Sequence, residues 1–177
     1  SLKEIEIICV DDGSTDDSIE IVNTLQKEND KIILVNQSNM GVSIARNHGI
    51  QIARGEFFCF IDYDDWIDSK MLEIMYTTAV EKDLELITVN TIFEYSNGKQ
   101  EIIQQPVTYD KILSHTEIEQ YLYSFFDIGA CQGAVWNSMY KTEKFRGILY
   151  FIPREISSGE DYLFKAIGLA MSEKILF

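Results

Sequence analysis

The sequence predicts an α/β fold: a mainly parallel central sheet with helices on both faces and a small antiparallel element added to it. Three observations predict it. Apolar, β-branched runs of strand length alternate with amphipathic helical stretches three times in the first half of the chain. Those runs are apolar throughout instead of alternating, the pattern of strands buried on both faces. Past residue 83 the rhythm gives way to a two-residue hairpin signal, Asn97-Gly98.

The elements follow in order. Residues 5–10 form the first apolar run and break at Asp11-Asp12-Gly13-Ser14, a strand entering a loop. Ser14 or Thr15 can cap the helix that follows, Asp16 and Asp17 suit its positive end, and Ile19, Val22 and Leu25 fall close to one face. Residues 32–35 make the second strand, 36–40 a loop, and 41–53 a helix stopped by Gly55. Residues 57–61 make a third strand that ends at Asp62-Tyr63-Asp64-Asp65, after which Ser69 caps a helix running to about Lys82. Residues 84–95 alternate well enough for one long strand, paired through the hairpin with residues 99–104. A helix over about 116–126, a mixed stretch over 134–145, a helix over about 161–171 and a strand-like end at Leu176-Phe177 complete the map.

Composition bounds the function. The 177 residues, 46% hydrophobic and 25% charged, suit one domain over 1–177 that buries roughly 70% of its unfolded surface. Fifteen basic against 29 acidic side chains, a net charge of −14, disfavour nucleic acid and any polybasic membrane anchor. Cys9, Cys59 and Cys131 are odd in number and far apart, so they form no disulfide framework, and a reducing cytoplasm is expected. No apolar run approaches the ~20 residues of a spanning helix, which leaves the protein soluble or peripheral. The sequon at Asn36 carries no weight against that compartment.

In open α/β sheets ligands bind beyond the carboxyl ends of the strands, and both Asp11-Asp12 and Asp62/Asp64/Asp65 stand at such ends. Carboxylates crowded there repel unless a cation relieves them, and hard oxygen donors without paired His or Cys favour magnesium or manganese. Such ions keep open positions for phosphates, so a phosphorylated substrate is expected. The plainer reading of Asp11 to Ser14 is a turn that caps its helix. Trp66 reads as packing, and His48 and His115 have no nucleophile at an interpretable spacing. Neither GxxxxGK[ST] nor GxGxxG occurs, and Trp66 stands where a phosphatase-type DxDxT needs Thr. An acidic pair such as Asp11-Asp12 also serves receiver domains, but their remaining residues have no counterpart here.

Five motifs in order carry a resemblance: Val10-Asp11-Asp12-Gly13-Ser14-Thr15-Asp16, Asn39-Met40-Gly41 with Ala45-Arg46-Asn47-His48-Gly49, Ala53-Arg54-Gly55-Glu56, Asp62-Tyr63-Asp64-Asp65-Trp66, and Gly159-Glu160-Asp161. Together they resemble family 2 glycosyltransferases of the GT-A fold, in the style of bacterial enzymes that build capsule, exopolysaccharide or lipopolysaccharide. The resemblance implies that Asp12 contacts the uracil of a UDP-sugar, with Asp11 supporting its loop. It places Asn39, Gly41 and Arg46 along the nucleotide and sugar pocket. Asp62 and Asp64 match the DxD motif that holds Mn2+ or Mg2+ on the diphosphate, and Asp65 extends it toward the donor sugar. Asp161 matches the catalytic base, with Glu160 adjacent.

The family usually carries a further strand and helix ahead of the strand that starts here at Ile5. The resemblance therefore implies that the chain lacks its first strand-helix unit and its C-terminal end. A strand edge left open that way favours a homodimer. The expected function is inverting transfer of a sugar from a nucleotide diphosphate to an acceptor hydroxyl in surface polysaccharide synthesis. The acceptor is expected to be a saccharide or lipid-linked saccharide, met in the cytoplasm at the inner face of the plasma membrane, with peripheral membrane association. Two alternatives stay open: a sugar-phosphate nucleotidyltransferase, which would want a Gly-rich basic loop near the N-terminus, and a non-catalytic metal-binding or scaffold domain. Acceptor choice falls to residues of about 95–155, where Tyr109, Trp136 and Tyr140 are candidates either to stack on a sugar or to fill the core.

Overall fold

The computed structural model of the protein describes residues 2–103, 111–125, 133–148, 156 and 159–177. The first half repeats strand and helix: β1 (Ile7–Asp11), α1 (Ser18–Glu28), β2 (Ile32–Asn36), α2 (Val42–Ile52), β3 (Phe57–Cys59) and α3 (Met71–Glu81). Next come β4 (Leu86–Thr88), β5 (Thr91–Glu94), β6 (Gln100–Ile103), β7 (Ile112–Leu113) and α4 (His115–Phe125). The chain closes with β8 (Ser138–Lys141), α5 (Thr142–Phe145), α6 (Glu160–Met171) and β9 (Ile175–Leu176).

The strands form three sheets. β1 and β2 pair in parallel from Ile7 opposite Ile32 to Asp11 opposite Asn36. Five strands in the order β3-β8-β4-β9-β7 make the main sheet, and β5 with β6 makes the hairpin, turned at Gly98 with φ +80°. The α/β class stands, but the pairing is mixed instead of mainly parallel. β8 enters antiparallel between β3 and β4, and β7 runs antiparallel to β9, while β4 and β9 are parallel. β8 follows the β5–β6 hairpin, β7 and α4 in the second half of the chain, outside the strand-helix repeat that keeps successive strands parallel.

The expected long strand over 84–95 is two strands. Leu86 to Thr88 are buried in the main sheet, whereas Ile92, Phe93 and Glu94 are exposed in the hairpin. Beyond Thr88 the Val89 N–H still donates to the Asn137 carbonyl at 2.9 Å, one step further along the β4–β8 pairing, and the chain leaves the main sheet after it.

Side-chain alternation divides the core around the main sheet. Leu86 stands opposite Tyr140 and Ile175, and all three face α4 and α6 with Phe164 and Ile118. The next residues along, Ile87, Met139 and Leu176, face α3 through Met75 and Ala79. Tyr140, named above as a candidate sugar platform, is fully buried. Its ring stacks on Phe58 at 5.3 Å and meets Phe164 edge-on at 5.2 Å. Each such pair adds about 1 kcal/mol beyond burial. The β1/β2 layer is thinner: α1 has no buried residue, and Ile7 and Ile21 stay 42% and 58% exposed.

Candidate functional site

The loops after β1 and β2 are clamped to each other by two aspartates. Asp11 folds back on its own turn, its carboxylate accepting the N–H of Gly13 at 3.1 Å and of Ser14 at 3.2 Å. Gly13 takes φ +84°, and a Cβ there would lie 3.0 Å from the Asn39 nitrogen, so glycine lets the two loops touch. Asp12 crosses to the second loop. Its Oδ1 accepts the Met40 N–H at 2.8 Å and Gln37 Nε2 at 2.7 Å, and its Oδ2 accepts the Gly41 N–H at 2.8 Å. Burial opposes the charge, but the bonds from Met40, Gln37 and Gly41 and the nearby His48 outweigh it, so Asp12 titrates below the usual carboxylate range. His48, given no role by the sequence, holds Gln37 through Nδ1 and Oε1 at 2.6 Å.

Beside this latch lies an acidic cluster centred on Arg46. The residue sits on the second turn of α2, and its guanidinium lies 5.5 Å from the centre of the Phe60 ring. It pairs with Asp62 at 3.2 Å, with Glu160 at 3.2 Å, and with Asp161. The side chain is only 13% exposed. Burial works against its charge, yet Asp161 and Asp62 hold its pKa above the ordinary value. The sequence expectation grouped Arg46 with Asn39 and Gly41 along one pocket wall. In the structure it is also the hub that joins the loop after β3 to the start of α6.

One cation among three carboxylates leaves the cluster short of positive charge. Asp161 feels it most: burial raises its pKa to about 6 despite the pull of Arg46, and Glu160 adds to the rise. Glu160 and Asp161 occupy the first turn of α6, where the helix dipole favours negative charge. Gly159, at φ +84°, turns the backbone into that helix.

The loop after β3 carries the remaining acids. It turns tightly, the Asp65 N–H donating to the Asp62 carbonyl at 3.1 Å. Partial burial raises the Asp65 pKa, and Asp62 and Asp64 raise it further. Burial leads that rise and the like charges add to it, a repulsion that a divalent cation would relieve. Tyr63 and Trp66 flank the acids, 100% and 62% exposed, so Trp66 is not the packing residue expected of it. Among the described residues no group of three or more His, Cys, Asp or Glu is placed to hold a metal ion. Trp136 is half-buried, and Tyr109 lies outside the described residues.

Comparison with known proteins bears on this arrangement. The glycosyl transferase family 2 profile matches residues 1–147. The chain belongs to that family. Glycosyltransferase GlyA of Streptococcus pneumoniae serotype 4 is 32% identical over 179 residues, spanning 99% of this chain and 25% of GlyA. EpsH of Bacillus subtilis (strain 168) is 35% identical over 146 residues, 80% of this chain and 40% of EpsH. The chain thus spans less than half the length of these two curated relatives. Among solved structures, S. aureus TarS 1-349 in complex with UDP superposes with a TM-score of 0.74 at 20% identity, over 97% of this chain and 47% of the TarS 1-349 chain. A second structure of TarS 1-349, in complex with UDP-GlcNAc, also scores 0.74. At that identity the likeness concerns the fold, which is the GT-A plan. No described helix of this family 2 chain is long and apolar enough to cross a membrane.

Sequence reading named the acids gathered around Arg46 but missed the latch. The bond from Asp12 to Gly41 joins residues 29 apart, and that from Arg46 to Asp161 joins residues 115 apart. No local pattern marks such pairs. The His48 to Gln37 bond was open to inference only from a polar residue recurring on the inner face of α2.

Proposed function

We propose that the chain carries the donor site and catalytic base of an inverting glycosyltransferase that moves a sugar from a UDP-linked donor to an acceptor hydroxyl. The observation that carries this reading is the Arg46 cluster, which gathers Asp62 from the end of β3 and Glu160 and Asp161 from the start of α6 into one acidic site. Membership of family 2 supports it, as do the UDP and UDP-GlcNAc complexes of TarS. Asp12, Asn39 and Gly41 line the nucleotide side, with Asp11 supporting the loop. Asp12 receives the uracil with the lone pair of Oδ2 that Gly41 leaves free.

Asp62 and Asp64, the DxD pair, would hold Mn2+ or Mg2+ with the diphosphate, and Asp65 extends the acidic edge toward the sugar. The repulsion from Asp62 and Asp64, which adds to burial in raising the Asp65 pKa, supports that donor set. A bound divalent ion supplies Lewis-acid stabilisation of charge growing on the leaving phosphate. Asp161, with a pKa raised to about 6, is a carboxylate at neutral pH and basic enough to take the acceptor proton. The acceptor oxygen bonds to the anomeric carbon as the bond to UDP breaks, and the proton passes to an Asp161 oxygen. Glu160 shares Arg46 with Asp161 and keeps it oriented.

The glycosyltransferase relatives support sugar transfer, and we take the acceptor to be a saccharide or lipid-linked saccharide in surface polysaccharide synthesis. We place the reaction in the cytoplasm, at the inner face of the plasma membrane, where free Cys9 and Cys59 stay reduced. Exposed Ile5 and Ile7 on and beside β1 support a homodimer.

Calorimetric titration of UDP with and without Mn2+ tests the donor site. Manganese-dependent binding that disappears in Asp64→Ala is expected. Equal binding with and without the ion would remove the metal role, and absence of binding would favour a non-catalytic domain.

A further inference from the structure

One ionisable side chain of the interior has no part in the roles above. Lys165 lies on α6 one turn beyond Asp161 and is fully buried. Among the described residues no carboxylate stands within ion-pair distance of its ammonium. Its Nζ instead donates to Thr88 Oγ1 at 2.9 Å and to Ser138 Oγ, and lies 5.8 Å from the centre of the Tyr140 ring.

Those two hydroxyls mark a particular place. Thr88 ends β4 and Ser138 begins the antiparallel β8, so both lie at the same rim, side by side in register and 2.9 Å apart through their oxygens. Ser138 donates to Asn137 Oδ1 at 3.0 Å, so its oxygen accepts from both Thr88 and Lys165. The proton order is thereby set: ammonium to both hydroxyls, Thr88 to Ser138, Ser138 to Asn137. The same strand β8 pairs with β3, Cys59 standing opposite Met139, three residues before Asp62. A single amine therefore connects the helix that carries Asp161 to the ends of β4 and β8, and through β8 to its neighbour β3, which leads into the Asp62 loop.

Stability alone does not account for a lysine here. Burial pulls its pKa down to about 7, so the fold works against the charge it contains. A methionine of similar length would fill the space without that opposition.

We propose that Lys165 is a positioning residue for the transfer reaction, fixing the first turn of α6, and with it the Asp161 carboxylate, against the Thr88 and Ser138 ends of β4 and β8. The inference rests on the reading of Asp161 as catalytic base. A carboxylate displaced by a fraction of an ångström from the attacking hydroxyl loses turnover while the donor site is untouched.

The test is Lys165→Met in the full chain, with UDP-GlcNAc and UDP-glucose as donors, Mn2+ present, water as acceptor and UDP release as readout. The expected result is a kcat lower by about tenfold or more, an unchanged donor KM, and an unchanged or raised melting temperature. Thr88→Val, which removes one anchor and leaves the amine, should give the same split to a smaller degree, and it carries the test if the methionine variant fails to fold. A kcat within twofold of wild type overturns the proposal. So does a lower melting temperature with KM and UDP affinity weakened in proportion, since Lys165 is then only structural. Wild-type protein that binds UDP but releases none from either donor would refute the reading of Asp161 and this proposal together, which separates that failure from one confined to Lys165.

Discussion

Arg46 offers one positive charge to Asp62, Glu160 and Asp161, and the consequences can be followed residue by residue. Removing the guanidinium in Arg46→Met leaves three half-buried carboxylates facing each other. Loss of one partner from a buried charge group costs about 3–5 kcal/mol. Without its counterion Asp161, already raised to about 6, titrates higher still, so the variant recovers stability as pH falls and that group protonates. Urea denaturation at pH 8 and pH 5 should show the larger deficit at pH 8; equal deficits would mean that the pairing is not electrostatic. Asp161→Asn tests the neighbouring group. Its native pKa of about 6 exceeds the ordinary 3.8, so the folded chain keeps a proton that the unfolded chain has already lost between those values. Stability conferred by that proton is present below pH 3.8 and is lost as pH rises through 6. Asn, which never ionises, should match wild type at pH 4 and melt about 3 °C higher at pH 8, while UDP release falls about 10²- to 10⁴-fold. Calorimetric scans across that range, with kinetics at pH 7.5, check both.

At the scale of elements, the latch between the loops after β1 and β2 shows what local pattern reveals and what it hides. An apolar run broken by Asp-Asp-Gly-Ser marks strand and turn, and the φ of +84° at Gly13 accounts for the glycine. That Asp12 accepts the N–H groups of Met40 and Gly41 depends on β1 and β2 lying side by side, which only the folded pairing establishes. Asp12→Asn replaces one acceptor oxygen with an amide that cannot receive both sets of donors. A cost of about 1 kcal/mol follows, together with looser packing of residues 39–41 at the head of α2. Hydrogen exchange at the Met40 and Gly41 amides should quicken well beyond the change in global stability. Exchange that quickens only in proportion to the global change would mean that Asp12 does not hold the loop. The same limit explains the split of the expected 84–95 strand. Alternation continues through Val89 and Asn90, but the partner strand β8 comes from far along the chain and begins at Ser138, so the pairing ends with the bond from Val89 to Asn137.

Across the whole molecule, the α/β class was legible because it rests on composition and on the repeated period of strand and helix. Strand order was not, because β8 and β9 come from the C-terminal half and insert among strands formed earlier in the chain. The same arrangement leaves the β1/β2 layer to be joined to the main sheet by a few long-range contacts, of which Arg146 is one. Its guanidinium donates to the carbonyls of Ile50, Gln51 and Ala53 at 2.9, 2.8 and 2.6 Å, satisfying oxygens that the end of α2 leaves without helical partners. A cation at a helix C-terminus is also favoured by the dipole. Arg146→Met keeps most of the apolar stem and removes all three bonds, at about 2–3 kcal/mol. The two core clusters on the main sheet do not include it, so the loss should fall on the attachment of α2. Because Arg46 lies on the same helix, loosening its far end should also disturb the cluster that holds Asp161. The expected outcome is a lower urea midpoint, faster exchange at β1, β2 and α2 amides than at β4 and β8, and weaker UDP binding. Uniform loss of protection across both layers would show instead that the molecule unfolds as a single unit and that α2 transmits nothing from Arg146 to Arg46.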